Sequence, residues 1–199
     1  MTAALQKVAG LLLAGGRSSR FGSEKAMARY ASELMIDRTA RLFEPLGRVA
    51  VSARAGSGAE RRARELGLTV LYDDPSAEPG PLAGVLAGLE WAQREGFGLL
   101  ATAPCDAPLL PLDLAERLIS ALGDAPAVYA VTDKGEHPLC GVWSTALADT
   151  LARRLRRGEH PAVRAHLAEA GAVTVHFADT GAFANANTIA DLAALEQHA

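Results

Sequence analysis

The chain has 199 residues, a formal net charge of −3 and a sequence pI near 6.0. That length fits one compact α/β core rather than two, and seventeen arginines scattered among carboxylates give no chain-wide electrostatic case for nucleic acid. No apolar run reaches the ~20 residues of a membrane span, and Met1-Thr2-Ala3-Ala4 lacks the charged and apolar regions of a signal peptide, so a cytoplasmic protein with no membrane partner is expected.

Taken in chain order, short apolar runs alternate with helical spacings. Residues 8–14 read as a first strand that empties into a glycine-rich loop, and 34–46 carry apolar spacings of three and four that predict a helix. A strand at 49–53 and a helix at 59–66 follow, with Gly56-Ser57-Gly58 between them as a turn. Next come a strand at 69–72, an amphipathic helix at 82–94, a strand at 98–103, a helix at 112–122 and a strand at 127–131. Helices at 145–156 and 162–170, a strand at 173–177 and a helix at 189–197 complete the chain. Several strands are apolar on both faces, as in a buried parallel sheet. The alternation predicts a single-domain, doubly wound, mostly parallel, Rossmann-like α/β sheet with helices on both faces. Ligands of such sheets sit beyond the carboxyl ends of the strands, which directs attention to the loops that follow them.

The first of these loops reads Leu13-Ala14-Gly15-Gly16-Arg17-Ser18-Ser19-Arg20-Phe21-Gly22-Ser23-Glu24-Lys25. Adjacent glycines let backbone N–H groups approach a ligand, and Arg20 and Lys25 can neutralise a triphosphate. The order is neither a Walker loop nor GxGxxG, and on residue types alone a Gly/Ser turn with solvated arginines fits as well. Lysine is scarce, three against seventeen arginines, which singles out Lys25. The second loop, 73–84, holds Asp73 and Asp74 and then Gly80-Pro81, a helix entry whose free N–H groups can face a ligand or merely start the helix. The third ends strand 98–103 in Pro104-Cys105-Asp106-Ala107-Pro108, a carboxylate stiffened by prolines that suits Mg²⁺ or caps a turn. Cys105 and Cys140 lie in apolar contexts without CxxC spacing, which predicts reduced, packed thiols.

Two motifs lie further on. His137, before Pro138, either meets an anionic substrate or packs at a strand start. The chain's two asparagines, Asn185 and Asn187, share one face of the segment if it is extended. Asn187 or Thr188 can cap the last helix, with Asp191 completing a capping box.

Leu-Ala-Gly-Gly, three residues, Arg-Phe-Gly and then Glu-Lys resembles the signature LAGGxxxRMGxDK of the molybdenum cofactor guanylyltransferases and their sugar-nucleotidyltransferase relatives. The Gly80-Pro81-Leu82-Ala83-Gly84 step, the Pro-Cys-Asp motif around Asp106, the His137-Pro138 strand and the Asn185-Ala186-Asn187-Thr188 ending extend the resemblance to nearly the whole chain. It implies one nucleotidyltransferase domain over 1–199 that transfers GMP from GTP to the phosphate of molybdopterin or molybdenum cofactor, releasing pyrophosphate. It implies nucleotide contacts from Leu13, Ala14, Gly15, Gly16, Lys25, Ser52, Asp73 or Asp74, Gly80 and Asp106. It further implies that Arg20, Lys25 and Asp106 carry the catalysis, that Asp106 holds Mg²⁺, and that His137 and Asn185 border the acceptor, with molybdoenzymes or their chaperones as further partners. A carboxylate at 73 or 74 can accept two hydrogen bonds from guanine N1–H and its 2-amino group. The sequence departs from the family pattern at Phe21 for methionine, Glu24 for aspartate and Ser52 for asparagine. Cytidylyl or sugar-phosphate transfer on the same fold, and a non-catalytic nucleotide-binding regulator, are the competing expectations.

Overall fold

The computed structural model describes residues 5–15, 24–72 and 80–197. Its main sheet is built from β1 (Val8–Leu13), β4 (Arg48–Ser52), β5 (Thr69–Leu71), β6 (Leu99–Pro104), β7 (Ala127–Thr132), β8 (Gly135–Ser144) and β9 (Val173–His176), in the order β5-β4-β1-β6-β8-β7-β9. From β5 through β6 the strands are parallel, β8 runs antiparallel to both its neighbours, and β9 is again parallel to β7. The mostly parallel, doubly wound arrangement is the one expected.

Alternation along the strands explains why both faces are covered, since successive side chains point to opposite sides. Ala9 and Leu11 belong to one core, with α3 (Pro81–Arg94), α5 (Ala148–Arg156) and α6 (Val163–Ala170) packed over it through Leu89, Leu151 and Leu167. Val8 and Leu12 belong to the other core, with α1 (Met35–Arg41), α2 (Gly58–Glu65) and α4 (Leu114–Leu122) contributing Ile36, Ala59 and Leu118. The last helix, α7 (Ile189–Gln197), packs Leu192 with Tyr30 and Met35 beside the small hairpin β2 (Arg29–Tyr30) and β3 (Glu33–Leu34). Among the described residues no helix is long and apolar enough to cross a membrane.

Departures from the predicted elements have local causes. The helix expected at 34–46 ends at Arg41 and continues only as turns through Leu46, because Pro45 has no N–H and disfavours a helical residue before it. Leu34 itself is in β3. Residues 145–147 form a 3₁₀ turn ahead of α5, opened by the Ser144 hydroxyl, which accepts from the Ala146 N–H. Neither the hairpin nor strand β8 follows from apolar periodicity, the first because it is too short and the second because Pro138 interrupts it.

Helix α3 lies close against the sheet at Gly88. A Cβ there would stand 2.5 Å from Leu11 Cδ2 and 3.0 Å from Leu100 Cδ2, both on fully buried side chains. Gly88→Val therefore overpacks this face and is expected to lower stability by about 1–3 kcal/mol, read as a lower urea midpoint at unchanged slope.

Candidate functional site

The chain order reverses at β1: β4 and β5 lie to one side and β6 to the other, which opens a crevice beyond the carboxyl ends of β1 and β6. Leu13, the last residue of β1, pairs with Ser52 at the end of β4 and with Pro104 at the end of β6. Two bonds outside the ladders hold the exits level, Ala14 N–H to Ser52 O at 2.9 Å and Cys105 N–H to Leu13 O at 3.2 Å. Above this row lies a cavity of about 710 Å³ lined by Leu13, Ala14, Gly15, Lys25, Ser52, Gly80, Asp106, His137 and Asn185. Each predicted site residue within the described segments thus borders one space. Gly16, Arg20, Asp73 and Asp74 lie outside the described residues.

Lys25 and Asp106, 81 positions apart, meet on the cavity wall with Nζ 3.2 Å from Oδ2. Lys25 also donates to Asn187 Oδ1 at 2.7 Å, and the Ala186 N–H donates to the Asp106 carbonyl at 2.8 Å. The lysine that ends the first loop, the β6 carboxylate and the entry to α7 are thereby tied together. Asn187, for which the sequence suggests a cap, reaches Lys25 instead; its rarity and its place in the Asn-Ala-Asn-Thr ending were the signals that pointed to it. The cap is Thr188, whose hydroxyl accepts from the Asp191 N–H at 3.1 Å while Asp191 Oδ2 accepts from the N–H groups of Asn187 and Thr188 at 2.9 Å each.

Glu24 has a separate task. Its carboxylate accepts from the N–H of Gly58 at 2.7 Å and of Ala59 at 3.0 Å, two of the unpaired donors at the start of α2. Ser57 supplies the ordinary N-cap to Glu60 N–H. The glutamate beside Lys25 is therefore spent on α2, and anchors the backbone that presents the lysine.

On the second loop, Gly80 is the N-cap of α3 and Pro81 its first residue. Gly84 allows the helix to approach β4, since a Cβ there would lie 2.8 Å from Ser52 Oγ. Ser52 is buried beneath this helix. Just before the second loop, Tyr72 donates to Glu60 Oε1 at 2.6 Å and Arg64 joins the same oxygen at 2.9 Å, which lowers the Glu60 carboxyl to about 2.

His137 closes another wall. Its ring packs on Phe183 with centroids 4.6 Å apart, and Nε2 lies 3.0 Å from Thr132 Oγ1. Burial lowers its pKa from the ordinary histidine value, which favours a neutral ring over a phosphate-gripping cation. Asn185 is exposed at the cavity and Phe183 is buried two residues before it. Glu136 and Arg164, which sequence reasoning did not single out for the cavity, also line it and pair at 3.4 Å.

The donor set suits a hard divalent cation held mainly by a ligand's oxygens. Asp106 offers a half-buried carboxylate, and no group of three or more potential metal ligands exists among the described residues. Cys105 and Cys140 are buried free thiols whose pKa values burial pushes far upward, so they stay protonated and do not compete.

Residues 10–177 match the model of the MobA-like NTP transferase domain. The chain is 41% identical over 189 residues to a molybdenum cofactor guanylyltransferase of Cereibacter sphaeroides, covering 94% of each chain. It is 40% identical over 189 residues to one of Acidiphilium cryptum, covering 94% of this chain and 92% of that one. In fold it resembles the crystal structure of molybdopterin-guanine dinucleotide biosynthesis protein A of Archaeoglobus fulgidus, with a TM-score of 0.77, 22% identity, and 96% and 97% of the two chains covered. A 4-diphosphocytidyl-2C-methyl-D-erythritol synthase of Anaerococcus prevotii shares the fold at a TM-score of 0.71 and 13% identity, covering 98% of each chain.

Two histidines, His137 and His166, make stability depend on pH. Burial lowers the pKa of His137, and burial with the nearby Arg154 lowers that of buried His166. The unfolded chain then binds more protons than the folded one between the folded and unfolded values, so stability is full above the ordinary value of 6.5 and declines as pH falls through the folded values. Urea midpoints should drop between about pH 7.5 and pH 5, and His166→Gln should flatten part of that slope.

Proposed function

The chain belongs to the MobA-like NTP transferase family, among the molybdenum cofactor guanylyltransferases, and on that premise we propose that it transfers GMP from GTP to the terminal phosphate of molybdopterin or molybdenum cofactor, releasing pyrophosphate. The observation that carries this reading is the meeting of Lys25, Asp106 and the Gly80-Pro81 helix start around one cavity at the β1/β6 crevice.

An ionised phosphate is already a competent nucleophile, so the enzyme needs no covalent intermediate and works by alignment and charge neutralisation. The backbone of Leu13, Ala14, Gly15 and Gly16 receives the nucleotide, and Lys25 and Arg20 take the charge that develops toward pyrophosphate. Lys25 starts from Asp106 and Asn187, so its ammonium is already held at the cavity wall. Asp106 is the protein ligand to Mg²⁺, which when bound neutralises phosphate charge at the reacting centre. Asp73 or Asp74 reads the guanine donor pair, and Ser52 supports the nucleotide from beneath α3. His137, as a neutral ring held by Thr132 and Phe183, and Asn185 flank the acceptor.

Base recognition by a buried donor pair should favour GTP over ATP, CTP and UTP by well over about tenfold in the presence of Mg²⁺. Calorimetric titration of each triphosphate checks this, and equal affinities would remove the guanylyl assignment while leaving the fold untouched.

Asp106→Asn keeps the size of the side chain and deletes the charge a hard cation needs. Turnover should fall by about two orders of magnitude or more, while the ligand-free melting temperature stays near wild type. Stabilisation by GTP with Mg²⁺ should shrink, because ligand stabilisation follows affinity. Pyrophosphate release and thermal melts with and without ligand read the two effects separately.

A further inference from the structure

Strands β6 and β8 pair as far as the row Thr102–Gly141. Beyond it β8 leaves register with β7: Tyr129 faces Gly141, but the next residue, Ala130, faces His137. Pro138, Leu139 and Cys140 therefore form a bulge with no partners on β7, and Pro138 has no N–H to offer any ladder. All three line the cavity. A bulge that has lost this many ladder bonds keeps one shape only if something else holds it.

Thr102 supplies that hold. Its hydroxyl donates to the Leu139 carbonyl at 2.8 Å, with the Gly141 carbonyl a longer alternative at 3.4 Å, and accepts from the Trp143 indole Nε1–H at 3.0 Å. Thr102 is 1% exposed and Trp143 0%. The indole is a donor only, so it occupies the hydroxyl as an acceptor and directs the hydroxyl proton to a carbonyl. Four residues along the same strand exit stands Asp106. One buried hydroxyl thus fixes the bulged wall relative to the strand that carries the reacting-centre carboxylate.

We propose that Thr102, oriented by Trp143, is a positioning residue that sets the shape of the cavity wall at residues 138–140 and through it the affinity for the phosphate-bearing acceptor. It touches no substrate itself. The acceptor assignment rests on the guanylyl-transfer reading given above; the anchoring of the bulge does not.

Thr102→Val keeps the shape and deletes the hydroxyl, while Thr102→Ser keeps the hydroxyl. Steady-state kinetics with GTP, Mg²⁺ and molybdopterin are paired with hydrogen–deuterium exchange of the ligand-free protein over residues 136–141. Thr102→Val should raise the acceptor KM about tenfold with kcat and the GTP KM within about twofold, and should quicken exchange at Leu139–Gly141 about tenfold. Thr102→Ser should restore both readouts. An unchanged acceptor KM, an equal rise in both KM values, or a serine variant that fails to restore them overturns the proposal. If the orphaned indole prevents Thr102→Val from folding, the double variant Thr102→Val/Trp143→Phe removes both partners together and must show the same quickened exchange; protection equal to wild type overturns the anchor. A wild-type protein inactive toward molybdopterin counts against the transfer reading and overturns the acceptor assignment, and exchange alone then decides the anchor: quickening in the valine variant with recovery in the serine variant supports it, and no quickening overturns it.

Discussion

The functional face depends on one constraint, the shared parallel register of β4, β1 and β6, which ends with Ser52, Leu13 and Pro104 in one row. In a parallel sheet the strand exits all emerge on one edge, and a reversal of strand order leaves a crevice there. The loops after β1 and β6 and the last residue of β4 meet at this edge because of that row. A one-residue slip of β6 would turn its apolar residues to the wrong faces and carry Asp106 away from Lys25. The two cores, one on each side of the sheet, make such a slip costly, and so the burial of Leu11, Leu12 and Leu100 secures a site to which they contribute no chemistry.

The charged groups at this edge contribute little to stability. Lys25 and Asp106 remain 21% and 25% exposed, and ion pairs that water can reach are weak. Their importance lies in placement, since the pair draws the β1 loop, the β6 exit and the approach to α7 around a common space. Glu24 shows the same economy. By capping the first turn of α2 it satisfies donors that would otherwise be open and fixes the chain one residue before the lysine.

Strand β8 brings a different device. An antiparallel strand inserted between β6 and β7 interrupts the parallel pattern, and its bulge turns residues 138–140 toward the cavity rather than along the ladder. Here the packing is polar and buried, with Trp143, Thr102 and a carbonyl in series, which confers a definite geometry that apolar contacts alone would not. The ring of His137, wedged between Phe183 and Thr132, links the same wall to the segment ahead of α7.

The alternation of apolar strands and helices, the mostly parallel class and the residues of the three loops were legible in the amino-acid order, because periodicity and local turn chemistry act over a few neighbouring positions. That order also carried the capping of the last helix, since Thr188 and Asp191 are three residues apart. That Lys25 meets Asp106 and Asn187, that Glu24 serves α2, and that β8 runs antiparallel with a bulge at residues 138–140 emerged from the folded chain alone. Those contacts join positions 34 to 162 residues apart, and no local pattern encodes a partner that distant. The bulge was hidden for a related reason: Pro138 broke the alternation that marks a strand, while the hydroxyl that holds the break lies on another strand altogether, at Thr102.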